Sequence, residues 1–460
     1  MVAVHSGVPT PAVGWRWLYR LIVPAAALCV YGVLAVLWHW GSSSLYFGTL
    51  QFVGIEPFRF PFLDIQAILS AAECQRLGLD VYLSNPCDAL GRPHVYSPLW
   101  VVVTPGFLDT RATMGVGLTL DLLFMLSLAL VIRPTTRGEI LVLALAALSS
   151  TTVYALERAN SDLIVYLLVV SAWMLGLAPR RYRLGAYALY LTAGLLKYYP
   201  LVLLALVARE RWRDALVIAG TAGSTVVLLA VYDYAELGKA LANLPALSYF
   251  SDSFSALNLP FGFAEALAGI GPRSVLGLLL LSLLVAVAIA RTRRTLRFLD
   301  PGTLDWEGRE AQCLVAGALL MMACFFAGQN VDYRGVYFVL VVPGLVHLHR
   351  SSRETAVRQF GAQMIAAALF LMWEEFFRRA LHTLVSSAPS EGLSLPEVYF
   401  WIGRELVWWW LVAGMAAIVL LYFRQLPLAQ DSIAKFRHCR ALLKIVGKWA
   451  SPQHSPDHFR

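Results

Sequence analysis

Charge is what this 460-residue chain has least of. Only 14% of its residues are Asp, Glu, Lys or Arg, where a soluble domain carries about 25%. The 58% hydrophobic content and the mean hydropathy of +0.64 exclude an ordinary soluble enzyme and leave a polytopic, all-α membrane protein. Cysteine is scarce too: six residues cannot make a disulfide framework. Cys74 and Cys87 share the first long loop, where they either pair on an oxidising side or stand as unrelated thiols. There is no P-loop, no HExxH, no Cys-x-x-Cys and no nucleophile-elbow serine. His94, His347, His349 and His382 are scattered and form no metal-ligand pattern, so neither a metal nor a cofactor is expected. Internal repeats and low-complexity tracts are absent as well, and the first apolar run has no clear cleavage site.

What is present is a series of apolar runs near the roughly 20 residues that a bilayer span needs. They lie at 18–40, 114–132, 139–155, 161–178, 214–232, 273–290, 311–327, 335–349, 357–380 and 404–423. Lys197 and Pro200 interrupt a further segment, 184–208, which is read as a bent hairpin of two short helices with Lys197-Tyr-Tyr-Pro200 at its tip. The expectation is ten full spans plus this hairpin, about 10–12 transmembrane segments in all. The net charge of +8 sits in short basic clusters between runs, which suits membrane orientation and not nucleic acid. With both termini inside, the clusters at 133–137, 180–183, 291–297 and 350–358 fall inside. Loops 41–98, 155–161, 233–272, 329–334 and 381–400 then fall outside. Residues 1–430 form one transmembrane domain, and 431–460 a basic cytoplasmic tail.

The candidate chemistry lies in the outer loops. Pro61 and Gly78 bracket an amphipathic helix with Leu63, Ala67, Ser70/Ala71 and Cys74 on one face. Asp64, at its start, is either a general base for an acceptor hydroxyl or a helix cap, and the two roles are compatible. Lys197 between apolar neighbours either binds a lipid phosphate or snorkels to headgroups. Arg158, in the turn Glu157-Arg158-Ala159-Asn160, either grips phosphate oxygens or belongs to a polar turn. Gln329-Asn330-Val331-Asp332-Tyr333-Arg334 is a second polar turn on the same side. Glu374-Glu375 and Arg378-Arg379 read as i,i+4 pairs. Tyr249, Phe250 and Asn258 are available to line a groove, and 99–108 is long enough only to re-enter the membrane.

Taken in order, Asp64, Gly78-x-Asp80-x-Tyr82, Tyr96-Ser97-Pro98, Glu157-Arg-x-Asn160 and Lys197-x-Tyr199-Pro200 resemble the GT-C integral membrane glycosyltransferases, most closely glycosyltransferase family 87. The resemblance covers roughly residues 60–345 and rests on the order of short motifs. It implies a GT-C fold and a polyprenyl-phosphate sugar donor, with mannose the expected sugar. It also implies a lipid or glycan acceptor, inversion at the anomeric carbon, and a site on the periplasmic side of a bacterial inner membrane. Asp64 would be the base, and Lys197 and Arg158 would hold the donor phosphate. Asp80, Tyr82, Tyr96, Asn160, Tyr199, Asp332 and Arg334 would line the substrate site. Many GT-C enzymes show paired acids in the first loop, whereas here a single aspartate is followed by Ile65-Gln66. Two other readings use the same outer cations: a transporter or flippase of a lipid-linked sugar, and a polymerase or ligase of surface polysaccharide.

Overall fold

The computed structural model describes residues 16–58, 60–245, 247–268, 275–385 and 394–426. The expected basic tail, 431–460, lies outside the described residues. Among the described residues the fold is almost wholly helical, with one two-stranded antiparallel pair, β1 (Ser253–Phe254) and β2 (Asn330–Val331). Among the described residues, seven helices are long and apolar enough to cross a membrane, or eight if one bent pair counts as a span. They are α1 (Arg16–Trp40), α5 (Thr113–Val131), α10 (Trp212–Tyr232), α13 (Val275–Thr295), α14 (Arg309–Ala327), α16 (Thr355–Met372) and α18 (Leu395–Gln425). The chain is therefore a multi-pass membrane protein. Helices α14 and α18 are the central ones, with 67% of their apolar windows buried, whereas α10 and α13 bury only 11% and leave their apolar sides for lipid.

Several expected spans are broken, each at an identifiable place. The run 139–155 is α6 (Arg137–Ala147) and α7 (Ser150–Glu157), bent by 44°. Ser149 separates them because its hydroxyl caps α7 by accepting from the Thr152 amide. The run 161–178 is α8 (Ser161–Leu177), only 17 residues long. The run 335–349 starts as a 3-10 turn, Asp332–Tyr337, and becomes α15 (Phe338–Ser351). The run 357–380 ends at Trp373, whose indole donates to the Leu145 carbonyl at 2.9 Å, and α17 (Glu374–Val385) begins afresh. The last span begins earlier than its apolar core, with Ser394 and Glu397 forming a capping box for α18.

The hairpin expected at 184–208 is present. α9 (Arg180–Lys197) reverses at Tyr198, and Tyr199–Arg209 returns as a 3-10 helix. Gly194 faces Leu201, the Tyr187 hydroxyl donates to the Leu206 carbonyl and Arg183 pairs with Glu210, so the limbs are antiparallel. The steeper 3-10 rise lets 11 residues return about 22 Å against the roughly 27 Å of the 18-residue α9.

Five shorter helices complete the fold: α2 (Ser43–Phe52), α3 (Leu63–Arg76), α4 (Leu99–Val103), α11 (Tyr234–Ala242) and α12 (Asn258–Ala268). Helix α3 has the expected bounds but is not amphipathic at a surface. Both faces are buried, from Leu63 through Ala72, with Ala67 the one partly exposed residue in that run. Gly78, at φ +83, supplies the left-handed turn that follows it. Cys74 and Cys87 form a disulfide that ties the end of α3 to the following loop. Val102 of α4 and Phe107 in the turn after it are about four-fifths exposed, an apolar tip on the segment expected to re-enter. Among the described residues, the turn at 157–160 is bonded to the start of α3, the turn at 332–334 meets Asp162 and Asp252, and Lys239 meets Asp80.

Candidate functional site

The site is assembled on the N-terminus of α3. The Phe62 amide donates to the Glu157 carbonyl at 2.7 Å and the Asp64 amide to the Arg158 carbonyl at 3.1 Å, so the helix start is stitched to the α7–α8 turn. Phe62 takes a left-handed conformation (φ 66), and its ring lies on Gly117 of α5, where a Cβ would come within 2.4 Å of ring carbons. No side chain caps α3, so Asp64 is not acting as a cap. Its Oδ2 instead accepts from Asn160 Nδ2 at 2.5 Å. Its Oδ1 lies 3.8 Å from Arg158 Nη1 and 3.9 Å from Arg92 Nη1, beyond hydrogen-bonding distance.

Arg92 is anchored from behind by Asp88 at 2.8 Å and by the Leu63 carbonyl at 3.1 Å. Burial opposes ionisation of Asp88, but the Arg92 guanidinium more than offsets it and holds this carboxyl below the ordinary range. Arg158 stacks on Phe58, 4.1 Å to the ring centroid, and donates to the Tyr154 hydroxyl at 3.1 Å.

Asn160 links Asp64 to a second carboxylate. Its Oδ1 accepts from the Asp162 amide at 2.8 Å, capping α8, and from Lys197 Nζ at 3.3 Å. Lys197 also pairs with Asp162 Oδ2 at 3.1 Å, and Arg334 Nε approaches the same oxygen at 3.5 Å. The hydroxyls of Tyr199 and Tyr337 both donate to Asp162 Oδ1, and the Lys197 ammonium lies 5.2 Å from the Tyr96 ring centroid. Asp162 is fully buried and Lys197 8% exposed, so the snorkelling reading of this lysine does not hold: it faces a partner inside the protein.

Two properties mark the cluster as more than packing. Four cations, Arg92, Arg158, Lys197 and Arg334, meet four carboxylates, Asp64, Asp88, Asp162 and Glu157, so the charges balance in number, yet Asp64 is met by its two arginines only at 3.8 and 3.9 Å. Second, all three non-glycine residues with positive φ among the described residues adjoin it: Phe62 (φ 66), Ala159 (φ 40) and Tyr198 (φ 63). Each costs on the order of 1 kcal/mol, and such strain concentrates where function over-determines the backbone. Beside the cluster lies a largely apolar cavity of about 940 Å3, whose wall includes Trp38, Tyr46, Phe62, Gln66, Met125 and Glu157.

The structure thus brings together Asp64, Arg158, Asn160, Lys197, Tyr199, Tyr96 and Arg334 from the sequence-derived set. It does not bring in Asp80, which is exposed and pairs with Lys239 of α11 at 2.6 Å. Tyr82 packs edge-on against His94, whose other side meets Tyr96, so it stands two rings away from Lys197. Asp332 turns the other way, toward Glu374 and Glu375, because residues two apart on a 3-10 turn point to different sides. Glu375 pairs with Arg378 at i,i+3 and Glu374 with Arg404 of α18, not in the i,i+4 pattern expected. Asn258 serves packing, donating to the Ser253 carbonyl at 2.9 Å. Asp162, Arg92 and Tyr337 were missed. Asp162 reads as an ordinary first-turn acid after Asn160, and Arg92 as one of several loop charges.

No protein-family model matches the sequence, and no curated protein and no solved structure matches it.

Proposed function

We propose that this protein is a GT-C-type glycosyltransferase. It moves a sugar, mannose in the first instance, from a polyprenyl-phosphate donor to a lipid or glycan acceptor on the periplasmic side of a bacterial inner membrane. The observation that supports this most is Asp64 itself. One carboxylate oxygen is fixed by Asn160 while the other carries no hydrogen bond among the described residues, with Arg158 and Arg92 standing 3.8 and 3.9 Å from it.

That division suits a single displacement. Asp64 Oδ1 takes the proton of the acceptor hydroxyl as its oxygen bonds to the anomeric carbon. The bond from that carbon to the phosphate oxygen breaks on the opposite face, and the polyprenyl phosphate leaves with the electron pair, giving inversion. The leaving group gains negative charge, which needs cations and no general acid. Arg158 is held by Phe58, Tyr154 and Glu157 but its Nη1 meets Asp64 only loosely at 3.8 Å, which leaves that nitrogen open to phosphate oxygens, with Lys197 next in line through Asn160. The apolar cavity beside Phe62 gives a polyprenyl chain a place to lie while its phosphate reaches the cations. The order of the motifs from Asp64 to Lys197, which resembles glycosyltransferase family 87, agrees with this reading.

The test is transfer of label from radiolabelled polyprenyl-phosphate-mannose, with purified protein in lipid and a membrane extract as acceptor source. Wild type should form a labelled product and Asp64→Asn should not, at equal expression and detergent extraction. A transporter or flippase of a lipid-linked sugar would use the same cations but needs no base. Movement of the lipid across vesicles by both proteins, without product, would favour it.

A further inference from the structure

A second group of acids lies beside the turn that carries Arg334, and nothing in the proposed reaction uses it. Asp332, Glu374 and Glu375 each place a carboxylate oxygen within 4.8 Å of the others, and the residues are 2%, 1% and 5% exposed. Both carboxylate oxygens of Asp332 and both of Glu374 are buried without a hydrogen-bond partner. Such groups are costly unless a cation or a proton compensates them.

The cations in reach are already committed. Arg378 donates to both oxygens of Glu375, at 3.1 and 3.0 Å from its Nε. Arg404 spends Nε and Nη2 on Glu405 and its remaining bonds on the Ser251 and Ser253 carbonyls. It approaches Glu374 only at 3.6 Å. Four carboxylates, Asp332, Glu374, Glu375 and Glu405, thus face two guanidiniums, and four minus two leaves two negative charges. The cluster is also held rigidly: Gly54 (φ +92) lies against the start of α17, where a Cβ would be 2.4 Å from the Glu375 carbonyl carbon.

We propose that Asp332, Glu374 and Glu375 bind a divalent cation of the calcium class. The donors are all carboxylate oxygens, which select hard cations over those that prefer thiolate or imidazole. Metal–oxygen bonds of about 2.3–2.6 Å, typical of calcium, span this spacing without rearrangement. The ion would also tie α17 to the 3-10 turn that presents Arg334 to Asp162. This site is independent of the sugar-transfer reading and stands or falls separately.

The test uses the full-length protein in detergent, stripped with chelator, and needs no activity. Terbium is added as a calcium stand-in and its luminescence, sensitised by nearby aromatic residues, is followed while calcium or magnesium is titrated in. The melting temperature is measured with and without each ion. The expected result is saturable luminescence displaced by calcium and a rise of several degrees in melting temperature, both lost in Asp332→Asn and Glu374→Gln. Absence of luminescence and of any melting shift in wild type overturns the proposal in favour of a proton shared by Asp332 and Glu374. That arm decides even if the variants fail to fold. Displacement by magnesium alone overturns the calcium assignment, and undiminished binding in both variants overturns the ligand set.

Discussion

The two halves of the first long loop treat their aspartates in opposite ways. Asp64 is buried at the start of α3, gripped by Asn160 and flanked by Arg92 and Arg158, all on a backbone strained at Phe62. Asp80 lies exposed beyond Gly78 and meets the flexible ammonium of Lys239 and backbone amides of its own turn, that of Tyr82 among them. Both belong to short motifs that look alike on paper. What separates them is whether other segments converge: the α7–α8 turn, the α9 hairpin tip and the Arg334 turn all reach Asp64, and only α11 reaches Asp80. Charge in a sequence becomes chemistry where the fold spends strain and burial to hold it.

The sharpest way to break this contrast is at the base. Asp64→Asn should lower the transfer rate by roughly a hundred- to ten-thousand-fold, the usual contribution of a positioned proton acceptor. Asn preserves much of the shape, so extraction and melting should change little; retained transfer would remove Asp64 from the mechanism. Lys197→Met comes next. It leaves Asp162 buried with Arg334 as its remaining cation, a change that costs about 3–5 kcal/mol of stability in comparable pairs. The double variant Lys197→Met/Asp162→Asn removes both charges and should recover expression while transfer stays about a hundred-fold or more down. Near wild-type transfer by the double variant would show that the lysine is structural.

A subtler break lies under Phe62. Gly117→Val would drive side-chain atoms into the Phe62 ring and tilt the start of α3. Overpacking of this kind costs about 1–3 kcal/mol, read as a lower melting temperature, and transfer should fall with it. An unchanged melting temperature would show that the ring moves aside and that the strained entry to α3 is not fixed by α5.

Much of this was legible in the residues. Pro61 and Gly78 gave the bounds of α3, because one ends the preceding extended stretch and the other supplies a left-handed turn. Lys197 and Pro200 marked the hairpin, because neither suits an uninterrupted span. Less visible were features set by convergence. Nothing in Asn160-Ser161-Asp162 distinguishes an acid that caps a helix from one that collects Lys197, Arg334 and two tyrosines from distant segments. The run 139–155 is apolar enough to span by length, and only the serine cap at its middle reveals the bend. Asp332 was placed with Arg334 because they share one short polar turn, but the 3-10 geometry sends them to different neighbours.

His94 joins the two halves, lying between the rings of Tyr82 and Tyr96, and it should report on their packing through pH. Burial keeps its imidazole neutral and pushes its pKa down to about 4. The unfolded chain, with an ordinary value of about 6.5, therefore binds more protons between those two values. Stability from this group is complete above about pH 6.5 and is lost progressively as pH falls toward 4, by at most about 3 kcal/mol. Melting temperature measured across that window should slope upward with pH in wild type and less so in His94→Phe. Equal slopes in the two proteins would mean that the ring is hydrated and the loop looser than its packing indicates.

The smallest effect belongs to Asp80, and its smallness is what gives the comparison force. The ion pair with Lys239 sits in solvent, with the side chains 37% and 39% exposed, so water and salt screen most of it. Lys239 holds the Asp80 carboxyl below its ordinary value, chiefly through their hydrogen bond. Asp80 Oδ1 also accepts from the Tyr82 amide at 3.1 Å, a bond that an asparagine oxygen reproduces. Asp80→Asn therefore removes a charge while keeping the turn, and neither melting temperature nor transfer should change resolvably at physiological salt. If it instead lost transfer as Asp64→Asn does, with melting intact, α11 would be bringing the second half of the loop over the substrate. The site would then extend across the disulfide-linked segment and would not end at Tyr96.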